Sequence, residues 1–361
     1  MSNMKVAFID ALLSKHPSLG IEKKFIGRAR ASAALGLDAD FFYFGFGRRL
    51  RDDRICFYRR GGRFAVKLVS ALSRYTCITK QIDTGKYDFL VIRYAGGDLS
   101  IFSDVFRKNQ GKIVTEHHTK ELPEAFTYQT TFPQKLLTLS MERFLGPKLF
   151  KGCGGLIGVT DEIRQYELQR AGTRMAACTI PNGVVVRDIP FSGRGTYNGR
   201  ILNLLCLANT FEAWQGLDRV LAGVKQYKSR KPCLHLKVVG YVPPRSLNGT
   251  DGLNHDSNVR VDFLGKLYGA ELEGVLGQAH VAFSSLALFR KGMKEACALK
   301  TREFAAQGLP FILDHQDPDF PDTEAFLLRV PSDNSPVDMD TVVTFAERIL
   351  ARKGLPEYMR A

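Results

Sequence analysis

The sequence lacks an apolar run of the ~18–20 residues that a membrane-spanning helix needs. Its first apolar run, residues 5–9, is also too short for the core of a secretory signal peptide. The seven cysteines contain no Cys-x-x-Cys pair, and an odd, scattered set is typical of reduced thiols. We therefore expect a cytoplasmic protein with neither a disulfide framework nor a zinc site.

The composition shows no sign of disorder either. Hydrophobic residues make up 45% of the chain and charged residues 24%, which are ordinary values for a globular protein. The chain has 361 residues, which exceeds the ~250–300 at which a single hydrophobic core tends to split. The length therefore predicts two domains.

Acidic residues are scarce in the first half of the chain. Residues 1–190 hold 30 Lys and Arg against 18 Asp and Glu, whereas residues 191–361 hold 21 against 19. The excess concentrates in a basic cluster interleaved with aromatic residues: Arg48, Arg49, Arg51, Arg54, Arg59, Arg60, Arg63, Lys67 and Arg74. The 48–63 region is either a solvated face or a surface for an anionic membrane, a lipid-linked phosphate or an acidic polymer. No nucleic-acid-binding signature accompanies it, so nucleic acid is not an expected partner.

Short apolar runs alternate with amphipathic stretches along the whole chain. The runs predict strands at 5–9, 41–44, 89–93, 112–115, 155–159, 202–207, 235–239, 261–264, 281–284 and 311–313. The stretches predict helices at 21–36, 100–110, 217–227, 270–278, 296–307 and 339–353. This alternation indicates an α/β protein with parallel sheets covered on both faces.

Turn-forming residues predict the domain boundaries. A Pro-Asn-Gly-Val turn begins at Pro181, and a polar, glycine-rich stretch follows at 193–199. We therefore expect an N-terminal domain over 1–185 and a C-terminal domain over 186–338. The 339–361 segment would form a terminal helix that packs back toward the first domain.

Residues 279–312 are the most informative segment. An apolar run ends in a loop with Arg290, Lys291 and Glu295, and a helix-like stretch with Lys300 and Glu303 stops before the next run. Ligands of parallel α/β sheets bind at the carboxyl ends of strands, where this loop lies. Cations and a helix amino terminus favour an anion there, so the segment predicts a nucleotide or sugar-phosphate site.

Glu295 and Glu303 are eight positions apart. On one continuous helix they would not share a face, so we expect Glu295 in the loop and Glu303 in the helix. From spacing alone they are either two carboxylates that address one extended ligand or a capping acid and a solvated acid.

The residues around them resemble the retaining glycosyltransferases of group 1. The resemblance rests on Glu295-x7-Glu303 followed by Phe304-Ala-Ala-Gln-Gly-Leu-Pro-Phe-Ile, and on matching segments at 155–163 and 180–184. The segments 290–292 and 299–303 look more narrowly like a branch associated with bacterial surface-polysaccharide assembly. The resemblance implies the GT-B fold, in which two doubly wound Rossmann-like domains face each other across a cleft.

The resemblance also implies roles for particular residues. Glu303 would accept from the ribose hydroxyls of the donor nucleotide, and Glu295 would face the donor sugar. The family's Arg and Lys beside the phosphates are replaced here by Asn209 and Gln215. We therefore expect a relocated phosphate-binding set, consisting of Arg290, Lys291 and Lys300.

Other positions match the family less closely. His117 corresponds to a histidine near the donor sugar, although it could equally belong to a structural cluster with His118. Leu267 follows the strand beside which the family holds the base, and Gly20 follows the first strand. Gly240 ends a strand either as a turn residue or to let backbone approach a ligand. Trp214 is either a loop anchor or a wall of the donor pocket.

The implied activity is transfer of a sugar from a nucleotide donor, such as a UDP-sugar, to a glycan or lipid-linked acceptor. The anomeric configuration would be retained, and no cofactor or metal would be required. The protein would be cytoplasmic, with peripheral attachment to the inner membrane surface as one option. Two alternatives remain open: a nucleotide-sugar 2-epimerase of the same fold, and an inactive glycan-binding or scaffold relative.

Overall fold

The computed structural model describes residues 4–11, 19–45, 52–59, 72–127, 131–191, 196–229, 231–244 and 258–361. The chain forms two compact units, Met1–Asn182 and Gly183–Ala361. Across the described residues, no helix has both the length and the apolar character needed to cross a bilayer.

The first unit contains a seven-stranded parallel sheet with the order β3-β2-β1-β4-β5-β6-β7. Its strands are β1 (Val6–Ala11), β2 (Ala39–Gly45), β3 (Ile55–Arg59), β4 (Phe89–Arg93), β5 (Ile113–His117), β6 (Gly155–Gly158) and β7 (Ala177–Thr179). Its helices are α1 (Leu19–Ala34), α2 (Arg74–Gln81), α3 (Asp104–Asn109), α4 (Glu121–Thr127), α5 (Phe132–Phe144), α6 (Gly146–Lys151) and α7 (Asp161–Ala171). The order reverses between β1 and β4, which places a topological switch point at their carboxyl ends.

The second unit contains a six-stranded parallel sheet with the order β10-β9-β8-β11-β12-β13. Its strands are β8 (Ile201–Thr210), β9 (Cys233–Tyr241), β10 (Val259–Gly265), β11 (Val281–Phe283), β12 (Phe311–Leu313) and β13 (Leu327–Arg329). Its helices are α8 (Leu217–Gln226), α9 (Gly269–Gln278), α10 (Leu299–Ala306), α11 (Met339–Leu350) and α12 (Leu355–Arg360). The switch point lies here between β8 and β11.

Burial explains why both sheets are parallel. Strands β11 and β12 are buried along their whole length, and the centre of β4 is buried as well. Strands covered on both faces need continuous apolar runs rather than alternation. The α/β prediction is confirmed, with helices connecting the parallel strands of both units.

The C-terminal helices belong to the second unit. Val342, Ala346 and Ile349 of α11 recur at helical spacing and are buried in its core. Arg360 of α12 donates to the carbonyl oxygens of Val186 (3.0 Å) and Ala306 (2.7 Å). The end of the chain is therefore fastened to the start of the same unit.

The ten predicted strands are all present, whereas the helix predicted at 100–110 is interrupted and shorter than expected. The chain there forms a 3-10 turn (Leu99–Phe102), the short helix α3 and a second 3-10 turn (Gln110–Lys112). Asp98 accepts a hydrogen bond from Ser100 N (2.8 Å). Such local side-chain bonds to the backbone compete with a continuous helix.

Candidate functional site

The loops after β8 and β11 meet at the switch point of the second unit. Leu286 N donates to Gln215 O (3.1 Å), and Ala287 N donates to Trp214 O (3.2 Å). Gly216 permits this contact, because a Cβ at its positive φ would lie 2.8 Å from the Leu286 backbone. The two loops that the sequence assigns to the phosphates are therefore adjacent.

Lys300, near the start of α10, reaches this junction. Its Nζ donates to Gln215 Oε1 (2.6 Å), an oxygen that also accepts from Ser285 Oγ (3.4 Å). Burial lowers the pKa of Lys300 to about 8. Within the described part of the chain, no carboxylate forms an ion pair with Lys300. The charge of Asp314 partly offsets this lowering of the pKa, although Asp314 lies beyond ion-pair distance from Lys300. The close partner of the Lys300 cation is therefore a neutral amide oxygen.

Lys291 and Trp214 form a second contact between the same loops. The Lys291 Nζ lies 4.5 Å from the centroid of the Trp214 ring, and the lysine is only 5% exposed. A buried ammonium over an aromatic face is a favourable cation–π pair. Trp214 thus anchors the loop, which is one of the two alternatives left open for it.

Arg290 is committed to neighbouring protein groups. Its guanidinium forms a bidentate pair with Asp218 (2.8 and 2.9 Å) and donates to Asn334 Oδ1 and Ala213 O. These contacts occupy the N–H groups that a phosphate would need. In this conformation Arg290 braces the start of α8 with its N–H groups on protein acceptors. Its expected role at the phosphates stays a prediction.

Sequence reasoning missed a buried pair beneath the loop after β11. Arg219 is 1% exposed and donates to the carbonyl oxygens of Leu286, Ser335 (2.7 Å) and Pro331 (2.8 Å). Asp314 accepts from Leu288 N at 3.1 Å. Together they fix the 286–288 backbone, although a lone Arg in an amphipathic helix gives no sequence signal of this role.

Glu295 and Glu303 lie on separate elements. Glu295 forms an isolated bridge with Gln316 in the loop, and Glu303 is half-buried inside α10. The helix begins at Leu299 rather than at residue 296. Arg302 pairs with Asp317 at 2.8 Å and so fixes the helix that carries Glu303.

Asn209 on β8 and Gly240 on β9 lie near the carboxyl ends of two neighbouring strands. Asn209 is exposed at a register shift in β8. A Cβ on Gly240, whose φ is +136°, would lie 1.8 Å from Ala208 O, so this close approach of two strands requires glycine. Leu267 is half-buried after β10 and packs against the core. The structure thus gives Gly240 a backbone role independent of any ligand.

In the first unit, His117 is inside the core. Its ring is fully buried, stacks on Tyr94 (centroids 4.4 Å apart) and packs edge-on against Phe150. Its Nε2 lies 3.0 Å from Thr115 Oγ1. Burial, with help from Arg170, holds the pKa of His117 well below its usual value, so the ring is neutral. These contacts match the structural alternative for His117. Gly20, the other residue singled out in the first unit, is the second residue of α1.

A charged cluster that was not predicted from the sequence lies at the switch point of the first unit. Glu116 accepts from Lys24 (3.2 Å) and bidentately from Arg28 (2.6 and 3.0 Å). Burial alone would raise the pKa of Glu116, but the surrounding cations hold it well below its usual value. Asp10 lies 3.8 Å from Arg93 across the switch point, and burial raises the pKa of Asp10. The position of Asp10 and Glu116 at strand ends was the available signal.

Most of the predicted basic cluster lies outside the residues that the structure describes. Arg48, Arg49, Arg51, Arg60, Arg63 and Lys67 lie outside the described residues. Arg54 is exposed and pairs with Asp52 (3.1 Å). Arg74 is 8% exposed, and its backbone N–H donates to Asp98 while its side chain donates to Gly96 O (3.3 Å). Arg74 is therefore a buried structural residue, which corrects its assignment to the cluster.

Groups able to bind a metal ion are the last feature of the site. Among the residues that the structure describes, no three His, Cys, Asp or Glu side chains are grouped so as to hold a metal ion.

No protein-family model matches the sequence, and no curated protein matches it. Solved structures resemble it over nearly its whole length. Sucrose-phosphate synthase from Thermosynechococcus elongatus is 17% identical with a TM-score of 0.62, covering 99% of this chain and 91% of that one. WaaG, a glycosyltransferase involved in lipopolysaccharide biosynthesis, is 14% identical with a TM-score of 0.61, covering 98% and 94%. An E. coli trehalose-6-phosphate structure bound with UDP-2-fluoro glucose is 11% identical with a TM-score of 0.60, covering 99% and 94%.

At these identities the likeness establishes the fold. The chain has the GT-B fold, with two Rossmann-like α/β units whose parallel sheets contain seven and six strands. The predicted fold class is confirmed.

Proposed function

We propose that the protein is a glycosyltransferase that transfers a sugar from a nucleotide-sugar donor. The observation that carries the proposal is the Lys300 Nζ at the switch point of the second unit. It lies 2.6 Å from Gln215 Oε1 and has no carboxylate at ion-pair distance in the described residues. A half-buried cation at that edge favours an anionic ligand such as a nucleoside diphosphate. The proposal gives Lys300 the phosphate role that the family resemblance assigns to the residues replaced here by Asn209 and Gln215.

The donor would lie along the edge formed by β8, β11 and α10. Lys300 would stabilise the charge that develops on the leaving diphosphate. Glu303 would accept from the two ribose hydroxyls, since a carboxylate is suited to paired donors. Glu295 would face the donor sugar from the loop. Lys291 would support the site through Trp214 rather than by direct contact.

The finer parts of the proposal concern acceptor and stereochemistry. We infer a glycan or lipid-linked acceptor and retention of the anomeric configuration, with the leaving phosphate deprotonating the acceptor hydroxyl. The first nucleotides to test are UDP and its sugars, because a structural neighbour is bound with UDP-2-fluoro glucose. A role in surface-polysaccharide assembly would parallel that of the structural neighbour WaaG, which is involved in lipopolysaccharide biosynthesis.

The direct test measures binding of UDP, GDP, CDP and ADP by calorimetry, followed by incubation of the matching sugars with acceptors. We expect Glu303→Ala to weaken binding of the preferred diphosphate by about 1–3 kcal/mol, because buried hydroxyls lose their acceptor. Glu273→Ala, an exposed acid on α9, is the matched control and should bind normally. Unchanged affinity in Glu303→Ala would remove its ribose role.

Incubation of the donor alone separates this proposal from an epimerase. A glycosyltransferase should leave the sugar configuration unchanged until an acceptor is added. Conversion of the donor without acceptor would contradict the transferase proposal. Binding without conversion or transfer across a broad acceptor panel would indicate an inactive relative.

A further inference from the structure

Helix α5 of the first unit buries an acidic side chain and exposes apolar ones. Every residue of this helix is described, and Glu142 is its one buried side chain, at 3% exposed. Four of its large apolar residues point to solvent: Phe132 is 79% exposed, Leu136 55%, Leu137 54% and Phe144 66%. Leu139 and Met141 are half-buried. A surface helix of a globular protein normally buries its apolar stripe and exposes the polar one.

Glu142 shows that this orientation is fixed. Its carboxylate accepts from Gly97 N (2.7 Å), Tyr94 OH (3.1 Å) and Arg170 (2.6 Å). Outward rotation of this buried carboxylate would break its ion pair with Arg170 and its hydrogen bond from Gly97 N, and breaking a buried ion pair is costly. The apolar side chains are therefore held outward by the same contacts that hold Glu142 inward.

The outward face is continuous along the helix. Leu137 and Phe144 are seven residues apart and so project from the same side, with Leu136 beside them. Phe126 of the neighbouring α4 adds a further exposed ring, at 57%. Exposed apolar patches of this kind mark protein or membrane contact sites.

The flanking charge selects between these partners. Residues 131–151 contain Lys135, Arg143, Lys148 and Lys151 against the single acid Glu142, which is buried and paired with Arg170. Arg143, Lys148 and Lys151 are exposed. A helix with an outward apolar face bordered by Lys and Arg is suited to lie in the interface of an anionic bilayer.

We propose that α5 is a membrane-docking helix, which inserts Leu137 and Phe144 into the surface of an anionic lipid bilayer. The contacts of Glu142 with Tyr94 and Gly97 tie it to the loop after β4, at the switch-point edge of the first unit. Docking would hold that edge beside the membrane. Under the proposed function this edge would meet a lipid-linked acceptor, but the docking itself does not depend on transfer.

The experiment is flotation of the full chain with vesicles of phosphatidylcholine alone and of equal parts phosphatidylcholine and phosphatidylglycerol. We expect binding to the anionic vesicles that weakens as salt rises. The double variant Leu137→Ser and Phe144→Ser should lower the partition coefficient about tenfold or more, since it removes the inserted area. The positions are exposed, so circular dichroism should show an intact fold.

The control is a matched double change on the same unit, Leu35→Ser and Leu37→Ser, at positions that are 75% and 57% exposed. It should leave partition unchanged. A second variant, Arg143→Glu with Lys148→Glu, should abolish the preference for anionic vesicles while leaving the apolar face intact.

Three results would overturn the proposal. These are absence of binding to anionic vesicles, equal loss in the Leu35 and Leu37 control, and a dimer that dissociates in the α5 variant without any vesicle binding. The last result would make this face an interface between copies of the chain. Calorimetry with UDP on the same variants separates membrane docking from donor binding, because loss of docking should leave diphosphate affinity unchanged.

Discussion

The two switch points of the molecule differ in how their charges are balanced. In the first unit, Glu116 neutralises Lys24 and Arg28, and Asp10 faces Arg93. In the second, Lys300 donates to the amide oxygen of Gln215, and Asp314 acts on it from beyond ion-pair distance. No carboxylate of the described residues forms an ion pair with Lys300. The same doubly wound architecture thus supports a cluster of close ion pairs in one unit and a cation without a close counter-charge in the other. An anionic ligand has more to gain at the second.

The largest effect should follow from breaking the compensated cluster. Glu116 is 4% exposed, and Glu116→Ala would leave Lys24 and Arg28 without their buried counter-charge. We expect a loss of unfolding free energy of about 3–5 kcal/mol, as for other broken buried pairs. Urea denaturation checks this value. A loss below ~1 kcal/mol, the range of surface pairs, would show that the cluster is solvated and would remove the contrast.

The charge of Lys300 can be titrated without a mutation. Burial lowers its pKa to about 8, so the ammonium form that attracts an anion is lost as pH rises through that value. Diphosphate affinity should therefore fall about tenfold for each pH unit above the pKa, where the neutral amine dominates. The Lys300→Arg variant, which keeps its charge, should show a flat profile to pH 9. A wild-type profile that stays flat over this range would contradict the assignment.

The smallest expected effect concerns Arg290. Its guanidinium is 22% exposed and its partner Asp218 is 55% exposed, so solvent screens the pair. A double-mutant cycle of Arg290→Ala and Asp218→Ala should give a coupling energy of about 0.5–1 kcal/mol in stability. Arg290→Ala alone should change diphosphate affinity little. A large loss of affinity without a loss of stability would restore Arg290 as a phosphate ligand.

Local sequence pattern was enough to predict the strands and the fold class, because buried parallel strands are continuous apolar runs. Strands β3, β7 and β13 were missed: β7 and β13 are edge strands with at most one buried residue each, and β3 lies among the arginines of the basic cluster. The inverted α5 was not expected, since its periodicity looks ordinary until the contacts of Glu142 fix which face is buried.

The contacts within the candidate site were not predicted from the sequence. Lys300 was assigned to the phosphates through the family resemblance, and its hydrogen bond to Gln215 was not expected. The pairing of Arg290 with Asp218 depends on a contact between residues 72 positions apart, which no spacing rule contains. The same holds for Glu116, whose partners lie 88 and 92 positions away on α1. His117 was open to two interpretations until its ring contacts were known.

The central claim is that Lys300 binds the diphosphate of a nucleotide-sugar donor. Calorimetry with UDP and with uridine, on the wild type and on Lys300→Met, tests it most directly, with the exposed Lys353→Met as control. We predict that Lys300→Met loses about 1.5–3 kcal/mol of UDP affinity, as expected for a charge-assisted hydrogen bond, while uridine affinity and the control are unchanged. Equal loss for UDP and uridine, or no loss for UDP, would contradict the account.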